Sequence, residues 1–324
     1  MKTLETRGEL QLSAYYQNLK DVLKANIEKA IRGKDEVIEY LLIALISGGH
    51  VLIEDVPGVG KTTLVSALAK SLNMRFTRIQ FTPDLMPSDI TGFNLYNPKE
   101  QQFVFHEGLV MSHIVLADEI NRSAPRTQSS LLEVMQEYQV TVDGVTYPVP
   151  EPFMVLATQN PIEFAGTYPL PEAQLDRFML KVDMGYPTRE DEIEILDQDT
   201  RHVLAEDIQP IAGVQDILWL RQQLKGTHVS FPIKQYIVDL CRKTREHPQL
   251  SIGASPRAAQ MILRAATVRA LLRGREYVVP DDIIALSWPV LGHRLTVNQE
   301  SLFQGSDVRQ ILSEIVQELA VPKA

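Results

Sequence analysis

The stretch His50–Thr63, HVLIEDVPGVGKTT, begins as a short apolar run and ends as a glycine-rich turn. Its first half predicts a buried strand, and Leu64, Leu68 and Leu72, four apart, predict a helix with one apolar stripe from Lys61 onward. Between them, Gly58, Gly60, Lys61 and Thr62 match the second half of the phosphate-loop pattern G-x-x-x-x-G-K-[ST]. Glycines let successive N–H groups turn toward a phosphate, and the helix start adds the positive end of its dipole. Lys61 then reaches the β- and γ-phosphates of a nucleotide, and the Thr62 hydroxyl is placed to ligate Mg²⁺. Asp55 stands where the pattern has its first glycine, so its carboxylate must point away from phosphates it would repel. The alternative is a chance Gly-Lys-Thr at a strand–helix junction.

Two further apolar runs end in polar residues. In 114–122, IVLADEINR, a strand stops at Asp118 and Glu119, and two acids at the end of a buried strand are costly unless something cationic sits there. Asp118 suits a Mg²⁺ site reached through water, and Glu119 suits a general base that polarises water toward the γ-phosphate. The competing role is an acidic pair capping the helix that starts near Pro125. In 152–161, PFMVLATQNP, the run stops at Thr-Gln-Asn160 before a proline, a pattern that a plain turn would also explain. A fourth run covers 178–184, and helical spacing links Leu131, Val134, Met135 and Tyr138. Strands alternating with helices imply an α/β fold with a parallel sheet covered on both faces. After Pro187 strand-like runs nearly vanish, and 188–199, 214–224, 232–246, 256–273 and 281–290 read as helices. The expected division is therefore an α/β core over 1–187, with a loose polar tail over 1–12, and a helical domain over 188–324.

Composition narrows the function classes. The chain has 324 residues, 44% apolar and 23% charged, with a formal charge of −9, which argues against a protein that coats nucleic acid. Cys241 is the single cysteine, so neither an intrachain disulfide nor a thiolate metal cluster is expected. The start, MKTLETRGELQLS, lacks the apolar core of a signal peptide, and runs such as Leu41–Ile46 are too short to span a bilayer. A cytoplasmic protein without membrane insertion is the expectation. His106 and His113 have no third ligand near in sequence, so no metal site is read there. Arg264, Arg269, Arg273 and Arg275 read as a solvated helix face, or else a contact with another subunit.

Taken together, VPGVGKT, LADEINR, LATQNP and LPEAQLDRF resemble the MoxR branch of the AAA+ ATPases, in order and at matching spacing, from about Ile31 to the C-terminal helices. The resemblance implies a P-loop core with a parallel five-stranded sheet flanked by helices, followed by a smaller all-α lid. It implies ATP and Mg²⁺ as ligands, cradled by Pro57, Gly58, Val59, Gly60, Lys61, Thr62 and Thr63, with adenine near the Ile31-Arg32-Gly33 turn. The family's sheet order places the LATQN strand between the phosphate-loop strand and the LADE strand. Asn160 would then emerge between the γ-phosphate and Glu119 and orient the attacking water, the sensor-1 role. By the same resemblance Arg177 is an arginine finger offered to a neighbouring subunit, against the alternative of an Asp176–Arg177 surface pair. Arg257 is sensor 2, acting within its own chain or across to the next. Arg122 and Arg126 are further interface candidates.

Two segments read as inserted hairpins, one over 90–110 with its turn near Asn97-Pro98-Lys99, the other over 139–150 with Asp143-Gly144 as turn dipeptide. The resemblance makes them elements that carry nucleotide-driven motion to a partner, and otherwise they are surface decoration. It further implies a homo-oligomer in the form of a hexameric ring, a separate partner bearing a von Willebrand factor A domain, and a protein client whose maturation or metal loading is assisted. Two competing readings are a nucleic-acid motor related to minichromosome-maintenance helicases and a nucleotide-dependent binding switch with little turnover. The hairpin tips lack the interleaved basic and aromatic residues of a nucleic-acid grip.

Overall fold

The computed structural model describes residues 11–54, 58–159, 166–193 and 208–322. Asp55, Pro57 and Asn160 lie outside the described residues, as do 1–10 of the expected tail and 194–199 of the helix expected after Pro187. The chain opens with helices α1 (Leu12–Ile27) and α2 (Asp35–Ser47), then β1 (Val51–Glu54) and α3 (Lys61–Ser71). It continues through β2 (Phe76–Gln80), α4 (Pro87–Thr91), β3 (Gly92–Asn97), β4 (Gln102–Glu107), β5 (Ile114–Asp118) and α5 (Pro125–Glu137). The hairpin β6 (Gln139–Val142) and β7 (Val145–Pro148) precedes β8 (Met154–Gln159), α6 (Glu172–Leu175) and β9 (Leu180–Val182).

Five strands form one parallel sheet in the order β2-β5-β8-β1-β9. The LATQ strand therefore lies between the phosphate-loop strand and the strand of the acidic pair, with Leu52 opposite Ala157 and Ala117 opposite Ala157 on the other side. Alternate side chains go to opposite faces, as the period of a strand requires. Val51, Ile53, Leu116 and Leu156 join the core formed with α1, α2 and α3, while Leu52, Val115, Val155 and Ala157 join a second core with Leu131, Met135 and Phe153. Burial on both faces explains why β1, β5 and β8 are continuously apolar. The edge strand β2 was not among the expected strands, because its FTRIQ sequence alternates and only Ile79 is fully enclosed.

The expected hairpins form as β3–β4 and β6–β7. Asp143 and Gly144 both have positive φ, 50° and 80°, the backbone that a tight type I′ hairpin turn demands.

Beyond the sheet come α7 (Val214–Gln223), α8 (Phe231–Glu246), α9 (Pro256–Leu272), α10 (Pro280–Leu291), α11 (Gln299–Phe303) and α12 (Val308–Glu318). The all-α expectation misses an antiparallel pair between β10 (Leu250–Ile252) and β11 (Thr296–Val297). The expected helices also omit α11 and α12, the latter with Ile311, Leu312 and Ile315 buried. The Tyr16 hydroxyl donates to the Leu220 carbonyl at 2.6 Å, and Tyr15 meets the Trp219 ring edge-on at 5.4 Å. One hydrophobic core thus runs from α1 into the C-terminal helices. We keep a boundary near Pro187 as a proposal, since the sheet ends at Val182, although the two sides share that core.

Arg269 of α9, with Arg273 and Arg275 just beyond its end, corrects the solvated-face reading. Arg264 is exposed, but Arg269 and Arg275 converge on Asp282, which is fully enclosed and accepts from them at 2.7 to 2.9 Å. Glu39 of α2 receives Arg269 at 3.6 Å and Arg273 at 3.2 Å. Burial pushes the Asp282 carboxyl up, but its bonds to Arg275, to the Val279 N–H and to Arg269 outweigh that and hold it below the ordinary range. Asp282→Ala would remove the fully enclosed carboxylate that Arg269 and Arg275 share, so we expect a loss of about 3–5 kcal/mol in urea-unfolding stability. A loss no larger than that of an exposed ion pair, about 1 kcal/mol at most, would show the network to be incidental.

At the start of β1, His50 is enclosed between Tyr138 and Phe153. The Val155 N–H donates to Nδ1 at 3.0 Å, so Nε2 carries the proton and donates to the Met135 carbonyl at 2.9 Å. Burial holds its pKa down to about 4, against an ordinary value of 6.5. The neutral ring therefore contributes its full share of stability above the unfolded value and loses it as pH falls toward the folded one. Between pH 7 and pH 5 the expected loss is about 2 kcal/mol of unfolding free energy. Removing the titration with His50→Gln should flatten that part of the slope, and an unchanged slope would assign it to other groups.

Candidate active site

The phosphate loop sits between β1 and α3. Gly58 and Gly60 have φ of 86° and 87°, a backbone that residues with a side chain rarely adopt. At Gly60 the conformation is what requires glycine, since a Cβ there would meet only the movable Cδ1 tip of Ile31, at 2.7 Å. Gly60 is the N-cap of α3, and Lys61, Thr62 and Thr63 form its first turn, where the free N–H groups and the helix dipole favour an anion. These residues line a cavity of about 420 Å³ together with Asp118, Glu119, Arg78, Gln80, Thr158 and Gln159. A second cavity of about 390 Å³ shares Gly58, Gly60 and Thr63 and extends past Val59 to Ile31, Arg32, Tyr186 and Pro187. Each is within the size range of small-molecule sites. Gly33 does not line the cavity itself. It shapes the turn, since its φ is 67° and a Cβ there would lie 2.2 Å from the Asp191 carboxylate. Lys34 is buried and donates to the Met184 and Gly185 carbonyls at 2.9 Å, which holds the exit of β9 and hence Tyr186 beside that turn.

Thr158 connects the two acids. Its hydroxyl donates to Asp118 Oδ1 at 2.7 Å and accepts from the Glu119 N–H at 2.8 Å. Glu119 has φ of 56°, a left-handed turn that swings its side chain out of the strand line. Its carboxylate accepts from Gln80 at 2.7 Å and from Arg122 at 3.1 Å. Asp118 Oδ2 accepts from both Arg78 Nε and an Arg78 terminal nitrogen, the first at 3.1 Å. A cation at the cavity would meet a hydroxyl and a carboxylate, hard oxygen donors that fit Mg²⁺, and would share Oδ2 with Arg78. Sequence reasoning missed Arg78, Gln80, Thr158 and Tyr186. The polar Thr158 inside an apolar strand was the one legible signal among them.

Lys61, Thr62, Asp118 and Glu119 thus come together, and Arg177 and Arg257 do not join them. Arg177 precedes β9, and β9 runs parallel to β1 with Leu180 opposite Val51, so Arg177 lies at the amino-terminal end of the strands. The phosphate loop follows the opposite, carboxyl-terminal end of β1. Arg257 is the second residue of α9, exposed, and its charge acts on His50 and Arg294, also at the amino-terminal end of the sheet. Neither arginine lines the two cavities. The alternative pairing of Arg177 with Asp176 is not what forms: Asp176 is bound by Arg294 at 2.7 Å.

Comparison with known proteins agrees with this architecture. Residues 50–180 match the family described as ATPase family associated with various cellular activities (AAA), and 242–315 match the AAA lid domain. The chain is 46% identical over 312 residues to the uncharacterized protein YeaC of Bacillus subtilis, spanning 95% of this chain and 98% of that one. It is 42% identical over 306 residues to chaperone MoxR1 of Mycobacterium tuberculosis, spanning 92% and 81%. The crystal structure of a candidate ATPase from Cytophaga hutchinsonii superposes with a TM-score of 0.89 at 40% identity, covering 96% of this chain and 97% of that one.

Proposed function

Because the chain belongs to the MoxR branch of the AAA+ ATPases, we propose that it hydrolyses ATP at sites shared between neighbouring copies in a ring and uses the cycle to remodel protein clients. The observation that carries this reading is the placement of Arg177 and Arg257 at the end of the sheet opposite Lys61. Neither arginine lines the phosphate cavity of its own chain, and in this reading the next copy in a ring supplies them.

In this reading the loop from Pro57 to Thr63 holds the phosphates and Lys61 contacts the β- and γ-phosphates. Tyr186 and the Ile31–Gly33 turn flank the base. Thr62 and Asp118 are assigned to Mg²⁺, which when bound neutralises charge on the phosphates. Glu119 is the general base and Asn160 orients the water. Arg177 of the neighbour offsets the charge that develops on the transferring phosphoryl group, and Arg257 touches the same nucleotide in trans. The ring is hexameric and works in the cytoplasm beside a separate von Willebrand factor A partner. Its clients are protein complexes under maturation, metal or cofactor insertion being one such step.

The hairpin β3–β4 supports a protein client. Phe93, Leu95, Tyr96 and Phe103 are exposed on it, with Lys99 the cation of its turn, an apolar surface suited to protein rather than to a phosphate backbone. Among the described residues no helix is long and apolar enough to cross a membrane.

The test is ATPase rate per subunit against protein concentration, with mass measured by light scattering in parallel. A rate that rises with the population of the ring supports shared sites. A rate per subunit that is constant down to monomer would contradict them and favour a monomeric nucleotide switch.

A further inference from the structure

Arg294, in the turn after α10, has a side chain only 3% exposed, yet it carries a charge. Its Nε donates to Asp176 Oδ1 at 2.7 Å. Its other nitrogens donate to the Asp176 carbonyl at 3.2 Å, to the Phe178 carbonyl, and back to the Val290 carbonyl of α10. The adjacent His293 places Nε2 3.1 Å from the same Phe178 carbonyl. The residues on both sides of Arg177 are therefore clamped by one guanidinium, while Arg177 itself stays half-exposed and uncommitted to Asp176.

Stability alone does not explain this arrangement. Burying a guanidinium against a single partly exposed carboxylate recovers little beyond its desolvation cost, and apolar residues of similar volume do as well or better at such positions. What the planar fork supplies is direction, because its donors leave at fixed angles and fix several acceptors at once. We propose that Arg294 is a positioning residue for ATP hydrolysis: it sets the segment Asp176–Phe178 so that Arg177 projects toward the neighbouring subunit, and it ties that segment to the lid helices. A change of lid position in one subunit then changes the aim of the arginine offered to the next. This rests on the reading of Arg177 as acting in trans.

The test uses the full-length protein with Arg294→Met and Arg294→Lys, fold checked by circular dichroism. Affinity for a fluorescent ATP analogue should stay within about twofold, since Arg294 lines neither cavity, while kcat falls about 10²-fold, the cost of a misplacement near 1 Å. Lysine, a single point donor, should not rescue. Mixing Arg294→Met with Glu119→Gln should recover activity, because the second variant supplies a correctly aimed Arg177 to the intact catalytic site of the first. Loss of nucleotide affinity in step with kcat, or no recovery on mixing when Arg177→Ala mixed with Glu119→Gln does recover, would overturn the proposal alone. No recovery in either mixture would overturn the trans reading beneath it. Should Arg294→Met not fold, Asp176→Asn decides by the same readouts, with recovery on mixing supporting the proposal and its absence refuting it.

Discussion

Arg177→Ala is expected to lower ATP turnover per subunit by about 10³-fold or more, the range measured for arginines that stabilise a transferring phosphoryl group from a neighbouring chain. The effect should fall on kcat, with nucleotide affinity nearly unchanged, because Arg177 lines neither the phosphate cavity nor the cavity beside Tyr186. An interaction made only as charge develops in the transition state leaves ground-state binding alone. Stability should also hold, since the carboxylate beside it is already bound by Arg294 rather than by Arg177. Steady-state kinetics with a parallel binding titration separates the two. A variant that loses affinity and keeps kcat would remove Arg177 from the transition-state role.

Glu119→Gln should lower kcat by about 10²- to 10⁴-fold, the usual contribution of a positioned general base. The amide keeps the size of the carboxylate and an oxygen that accepts from Gln80, but it cannot take a proton from water. The N–H of residue 119 still donates to Thr158, so Asp118 keeps its orientation and ATP binding should survive. The expected product is a protein that binds ATP and holds it. Single-turnover hydrolysis monitored alongside retention of labelled ATP tests this directly, and wild-type single-turnover rates in the variant would remove Glu119 from the base role.

The parts of this site legible in the sequence are those where chemistry interrupts a strong pattern. Apolar runs that stop at Glu54 ahead of the glycine-rich turn, at Asp118-Glu119 and at Thr158-Gln159 mark strand ends, and all three strands lie side by side in the sheet. Arg78 and Gln80 gave no such signal. They belong to an edge strand whose polar and apolar residues alternate, and their role appears only when parallel pairing sets Gln80 opposite Asp118. Tyr186 is a single aromatic after a glycine, brought to the site by the bonds of Lys34 to the two carbonyls before it. The arginines on and just after α9 differ from the expected solvated face for a related reason. Charges repeated along one helix suggest water when their partners are unseen, and Glu39 lies 234 residues before Arg273. The resemblance to a family supplied what periodicity could not, namely the central place of β8 and the role proposed for Arg177.

The central claim is that one catalytic site needs residues from two copies, and mixing Arg177→Ala with Glu119→Gln at fixed total protein tests it most directly. Each variant alone should be nearly inactive. In mixed rings, some interfaces pair an intact Lys61–Asp118–Glu119 site from the first variant with an intact Arg177 from the second, so the rate should rise well above the weighted sum and peak near equal proportions. A rate that equals the weighted sum at every ratio, under conditions where light scattering shows mixed rings, would contradict shared sites and leave each chain hydrolysing ATP by itself.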